Sequence, residues 1–171
     1  QAFDIDVCLA TDQELRDKIT SIGIDGEKII GKGRLMDTLW KQVRKTIKGP
    51  AFLINQPVEI SPLAKRKEND RTKTEKYQIM IAGSELGNGY TELNDPIDQA
   101  TRFAQQAKLR EEGDVEAQMH DQDFVEALEY GMPPTTGFGF SERVFSFFAD
   151  RPIRECVLFP LMRPEGEQEN E

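Results

Sequence analysis

"KYQIMIAGSELGNGYTEL", residues 76–93, reads as two strands that turn at Gly83-Ser84, and this hairpin decides the fold. Its second strand is unusual for a sheet. Glu85, Asn88 and Glu92 sit among small and aromatic residues, and a capped helix follows at once. In regular strand alternation Asn88 and Glu92 share one face while Glu85 points to the other. Gly87 and Gly89 allow a bulge or a close backbone approach, which would bring all three side chains to one side. Such a face suits a ligand with both a carboxylate and an ammonium. The Asn88 amide can donate to the first, and a buried carboxylate can replace the hydration of the second. A solvated polar hairpin would carry the same residues, and on spacing alone it is the commoner reading.

Downstream of the hairpin, Asp95 before Pro96 forms an N-cap with proline at the first helical position, so a helix is expected through "PIDQATRFAQQAKLREEG", 96–113. A second helix fits "DQDFVEALEY", 121–130, closed by Gly131. "PPTTGFGFSERVFSFFAD", 133–150, is a glycine-punctuated extended segment that enters an aromatic helix at Ser141. "ECVLFPLM", 155–162, is expected as a last buried strand, and 165–171 as an acidic, disordered tail. Upstream, Phe3, Ile5, Val7 and Leu9 alternate with polar residues, which predicts a half-buried strand. Thr11-x-x-Glu14 is a capping box ahead of Leu15, Ile19 and Ile22. Leu35, Leu39, Val43 and Ile47 recur every four residues, with Met36 and Trp40 beside them, until Gly49-Pro50 stops the helix. That stripe is core packing, not a cofactor box. "AFLINQPVEI", 51–60, resumes extended structure, and the charged run in 61–76 reads as a solvated loop. Strands joined by hairpins and flanked by helices give an α+β fold with an antiparallel sheet.

Composition narrows the function. The 171 residues, 37% hydrophobic, can bury one real core and are expected to form one domain. A net charge of −9 argues against a general nucleic-acid or membrane-surface binder. The charge is uneven: residues 1–76 hold 15 Lys/Arg against 12 Asp/Glu, leaving 7 against 19 for residues 77–171. Cys8 and Cys156 suggest reduced, partly buried thiols and a cytoplasmic setting. His120 is the only histidine, which leaves no ligand set for zinc and no second base for a triad. No signal peptide or membrane-spanning run is expected, and a start at Gln1 without methionine points to a fragment.

A second constellation is "TTGFGFSERVFSFF", 135–148. Gly137 and Gly139 remove side chains where a flat ligand can lie against the strand. Arg143 falls in the first turn of the following helix, where the helix dipole does not favour a cation. Its placement makes sense if an anion such as a phosphate sits opposite. A surface arginine paired with a nearby acid is the plainer alternative.

The order "PVEISPLAK", a charged loop, "AGSELGNGYTELNDPIDQATRF", "ALEYGMPPTTGFGFSER" and "IRECVLFPLMRP" resembles the class II lysyl-tRNA synthetases, from the region of Thr11 to Pro164. "GFGFSER" followed by "LFPLMRP" is similar to the third signature motif of that class. The resemblance implies the C-terminal part, 1–164, of a class II catalytic domain, and a cytoplasmic enzyme, homodimeric at full length, that joins lysine to ATP and passes it to tRNA. It implies that Glu92 pairs with the lysine ε-ammonium, that Asn88 binds near the lysine α-carboxylate and the nucleotide, and that Glu85 holds magnesium on the ATP phosphates. It implies that Arg143 is the catalytic arginine of motif 3, stacking on adenine above Gly137 and Gly139 and balancing triphosphate charge.

Three departures from the family pattern accompany the resemblance. Seven residues before Glu85, where the family carries a second metal-binding glutamate, this chain has Gln78. The motif 3 segment is about one residue short, with Phe140 where a glycine is expected. Motif 1, motif 2 and the anticodon-binding barrel belong upstream of Gln1, so the fragment alone is not expected to form adenylate. Two other readings stand beside the ligase. One is a synthetase paralogue that lysylates a translation factor, although "TELNDP" fits the tRNA enzymes better. The other is a non-catalytic remnant that binds lysine or nucleotide.

Overall fold

The computed structural model describes residues 3–114 and 117–159, which fall into two compact units dividing after Gly139. In the first unit, helices α1 (Asp12–Ser21) and α2 (Lys32–Val43) precede strand β1 (Ala51–Ile54). The hairpin β2 (Lys76–Ile81) and β3 (Ser84–Thr91) follows, then α3 (Pro96–Glu111) and α4 (Gln122–Glu129). Strand β4 (Thr136–Phe140) completes an antiparallel-paired sheet of order β1-β2-β3-β4. The second unit carries α5 (Glu142–Ala149) and a short 3-10 turn at Ile153–Glu155. No helix among the described residues is long and apolar enough to cross a membrane.

Local chemistry sets each boundary. The Thr11 hydroxyl accepts from the Glu14 amide while the Glu14 carboxylate accepts from the Thr11 amide, so the expected capping box starts α1. Leu15 and Ile19 of α1 meet Leu35, Met36 and Leu39 of α2 in one buried cluster. The α2 stripe ends one turn early: α2 stops at Val43, a 3-10 turn follows, and Ile47 is already extended. The hairpin turns at Ala82-Gly83, one residue before the expected place. Both residues have left-handed backbones, φ 49° and 72°, as a tight two-residue turn requires.

Asp95 accepts from the amides of Ile97 and Asp98 at 2.9 and 3.2 Å, capping α3 as expected. Asp95→Ala should therefore lower stability by about 1 kcal/mol. A urea midpoint that falls with an unchanged slope would show it.

Among the described residues, two expected strands do not form. Residues 3–10 form turns: Asp4 is left-handed (φ 53°), and the Asp6 carboxylate takes the Cys8 amide at 2.9 Å. The left-handed turn at Asp4 and the Asp6 side chain thus commit the backbone to local turns in place of a ladder. Phe3, Ile5 and Val7 still pack on the helical cluster, while Leu9 is exposed. Residues 155–159 likewise form no strand, and Leu158 and Phe159 are exposed. A strand needs an edge to pair with, and residues 141–159 contain only helix and turns. The rest of that expected strand and the acidic tail, from 160 on, lie outside the described residues.

Candidate active site

Register decides which side chains of the hairpin meet. Gln78 lies opposite Asn88 and Ile79 opposite Gly87, but Met80 lies opposite Glu85. Leu86 is therefore the extra residue of a β-bulge, and it reverses the alternation on its N-terminal side. Glu85 turns onto the face that carries Asn88, and the Asn88 amide donates to its Oε1 at 3.3 Å. The bulge thus brings Glu85 to the Asn88 side of the ribbon, across from Gln78.

Glu92 continues this face just beyond β3. Its backbone amide donates to the Thr135 carbonyl at 2.9 Å, and the residue bridges to Ala64 on the other side. Its carboxylate reaches over β4: a Cβ added to Gly137 would stand 2.9 Å from Glu92 Oε1. Gly137 therefore makes room for the acid itself, a constraint beyond the expected space for a ligand. Gly139 is open, its nearest non-neighbour atom being the Asn88 carbonyl oxygen at 3.9 Å from such a Cβ. Burial raises the Glu92 carboxyl above its ordinary range. No cation pairs with Glu92 among the described residues.

Two residues of this face were not singled out from the sequence. Tyr90 lies between Asn88 and Glu92, and burial followed by the Glu92 charge raises its phenol. Lys76 lies opposite Tyr90 on β2. Burial lowers its ammonium, partly opposed by the Glu85 charge. Period-two counting back from Gln78 places Lys76 on the same face at the start of the hairpin. Lys76 and Gln78 line a cavity of about 350 Å³ whose far wall includes Arg34, Asp37 and Trp40 of α2. Glu85, Asn88 and Glu92 lie outside that lining.

The opposite sheet face is aromatic. Tyr77 stacks on Phe138 with ring centroids 6.3 Å apart, and Phe52 meets Tyr77 edge-on at 6.1 Å. Arg143 belongs to the second unit. It stands in the first turn of α5 with an exposed side chain, and its amide donates to the capping Ser141 hydroxyl at 3.3 Å.

The charged segment 61–76, expected as a solvated loop, contributes structure. Arg66 and Arg102 both pair with Asp98 through two hydrogen bonds each, between 2.9 and 3.3 Å. Burial alone would raise the Asp98 carboxyl, but the two guanidiniums outweigh it and hold the value at about 2. Since this lies below the ordinary carboxylate value, the stabilisation is complete above that value and is lost as pH falls through about 2. Asp98→Asn should flatten the fall in urea-unfolding stability between about pH 4 and pH 2. An acid limb identical to the unsubstituted chain would contradict that pairing.

Among the described residues no group of three or more His, Cys, Asp and Glu is assembled to hold a metal ion. The oxygen donors at hand are the Glu85 carboxylate and the Gln78 and Asn88 amides. One carboxylate with neutral oxygens suits a magnesium ion that brings phosphate ligands of its own, and does not suit a metal held by protein alone.

The family model described as tRNA synthetases class II (D, K and N) matches residues 12–163. A lysine–tRNA ligase of Thermotoga sp. (strain RQ2) is 46% identical over all of this chain, and one of Thermosipho africanus is 45% identical over 98% of it. A lysine–tRNA ligase of Porphyromonas gingivalis is 42% identical over 94% of the chain. The chain spans only 34%, 34% and 28% of those three proteins. The antiparallel sheet, its flanking helices and the extent of this match agree: the chain belongs to the class II tRNA synthetases of the D, K and N group.

Proposed function

We propose that the chain is the C-terminal part of a lysine–tRNA ligase catalytic domain and carries the lysine-recognising wall of its active site. One observation carries this reading: Glu92 is half-buried, its carboxyl is raised by burial, and no cation among the described residues pairs with it. A carboxylate kept in that state is matched by a ligand that brings its own positive charge. Lysine does so at its ε-ammonium. Leucine or methionine would leave the acid buried and unpaired, which rejects them.

The polar residues of the same hairpin complement this role. Asn88 spends one N–H on Glu85 and keeps a second for the lysine carboxylate. In the full-length enzyme a carboxylate oxygen of lysine attacks the α-phosphorus of ATP in line. The bond to the bridging oxygen breaks, pyrophosphate leaves with its electrons, and lysyl-adenylate forms for transfer to the 3′ end of tRNA. Magnesium, when bound, neutralises phosphate charge. Glu85 would hold it, with Gln78 offering a neutral oxygen. Positioning and charge compensation supply most of the catalysis. Arg143, from motif 3, stacks on the adenine and faces the triphosphate.

Calorimetry of the chain with lysine and with leucine tests the reading. Lysine should bind at least about 100-fold more tightly than leucine. Equal affinities would overturn the reading. Lysine binding without lysine-dependent ATP–pyrophosphate exchange is expected of the chain alone, and exchange is expected once motif 2 is supplied. In the full-length enzyme, Arg143→Ala should raise the KM for ATP by about tenfold, the loss of one charge-assisted contact, and leave that for lysine almost unchanged. The reverse pattern would remove Arg143 from the nucleotide site.

A further inference from the structure

Glu92 is held in register by residues distant in sequence. Lys65 donates to the Thr91 carbonyl at 2.8 Å and Leu93 donates to the Leu63 carbonyl at 3.0 Å, so segment 63–65 is the second ribbon beside Glu92. That segment has no regular strand of its own. It is fixed from behind by α3, the helix that begins four residues after Glu92. Arg102 is 2% exposed, and its Nη1 donates to the carbonyls of Ser61, Pro62 and Ala64 at 3.2, 3.5 and 2.7 Å. Its other two nitrogens form a fork on Asp98, at 3.1 and 2.9 Å. Gln99, fully buried, adds a bond to the Pro62 carbonyl at 3.2 Å.

These contacts close a ring. Glu92 leads through Asn94 and the Asp95 cap into α3, and α3 turns back through Arg102 onto the carbonyls of 61–64. Ala64 then pairs with Glu92. A planar guanidinium with five donors can hold a carboxylate and several carbonyls at once, and an ammonium cannot reproduce that pattern.

We propose that Arg102, oriented by Asp98, is a positioning residue for Glu92: it sets the substrate-facing carboxylate by fixing the 61–64 backbone against which residues 91–93 pair. The proposal rests on Glu92 being the recognition acid, yet its geometry can be tested without lysine. Nothing in it requires Arg102 to touch a substrate.

Arg102→Lys keeps the charge and loses the fork. In the folded variant, amide exchange at Lys65 and Leu93 should speed up by about tenfold or more, while the β2–β3 ladder keeps its protection. The Glu92 side-chain carbon signal, assigned by its disappearance in Glu92→Gln, should titrate closer to the ordinary carboxylate value than in the unsubstituted chain. A general loss of stability would instead speed exchange in both ribbons alike. If Arg102→Lys does not fold, Asp98→Asn, which leaves the arginine but loosens its anchor, should produce the same selective pattern. Unchanged Lys65 and Leu93 exchange with an unchanged Glu92 titration, in whichever variant folds, overturns the proposal. Loss of the lysine preference in the unsubstituted chain would count against the recognition role of Glu92 and would leave this exchange pattern in place.

Discussion

Glu92→Gln should weaken lysine binding by about 2 kcal/mol or more, a loss of about thirtyfold in Kd. The substitution keeps the shape, removes the charge and replaces one acceptor oxygen by an N–H donor, so the loss reports the ammonium–carboxylate pairing as a whole. Stability should move the other way. A carboxyl whose folded value is raised costs the fold stability once pH exceeds its unfolded value, because the folded state then holds the ionised form less well. At neutral pH the glutamine removes that cost, so the variant should unfold at an equal or slightly higher temperature. Lower affinity with preserved stability is the signature of a residue kept for recognition. The pH dependence of binding has the same origin. Lysine keeps its ε-charge throughout the acid range, so binding should weaken as pH falls through the raised value of Glu92. In Glu92→Gln this dependence should disappear. A variant that binds lysine as well as the unsubstituted chain would remove Glu92 from the recognition role.

Gly89→Ala should be the most damaging small substitution in the hairpin. The added Cβ would lie 2.6 Å from Tyr77 Oη, 2.7 Å from its Cζ and 2.8 Å from the Gly137 carbonyl oxygen. The tyrosine can swing aside, but the carbonyl is backbone of β4, so β3 and β4 must part. Overpacking of this kind costs about 1–3 kcal/mol, more than the few tenths gained by restricting the unfolded chain. Gly139→Ala is the internal control. Its Cβ would meet only the Asn88 carbonyl oxygen, at an ordinary 3.9 Å, so its stability should be unchanged or slightly raised. Urea unfolding of the two variants side by side would separate crowding from a general intolerance of alanine in these strands. Equal midpoints for both would refute the close approach at Gly89.

The features legible in the sequence were those set by neighbours in the chain. The Thr11 and Asp95 caps, the start of the helix after "NDP" and the turn of the hairpin all follow from residues within four positions of one another. Glycines 87 and 89 allowed a bulge near Asn88, but the unpaired residue is Leu86, a position settled by pairing with β2 and not by β3 alone. Alternation misled at Phe3–Leu9 because period two describes side chains and says nothing of whether a partner strand exists. The three apolar residues Phe3, Ile5 and Val7 reach the core from turns instead. The Asp98–Arg102 clamp was hidden for a different reason. Its i,i+4 spacing looks like an ordinary surface pair, and only the fold brings residues 61–66 over it to bury it. Glu85, Asn88 and Glu92 stood out as polar residues in a glycine-bracketed strand, and Gln78 was named through the family resemblance. The raised Glu92 carboxyl and the room that Gly137 leaves for it emerge only in three dimensions.

The most direct measurement is the carboxyl-carbon titration of Glu92 in the chain with and without saturating lysine. A recognition acid should titrate above the ordinary carboxylate range when free and move below it when an ammonium is bound. A Glu92 titration that stays the same with and without lysine would contradict the assignment.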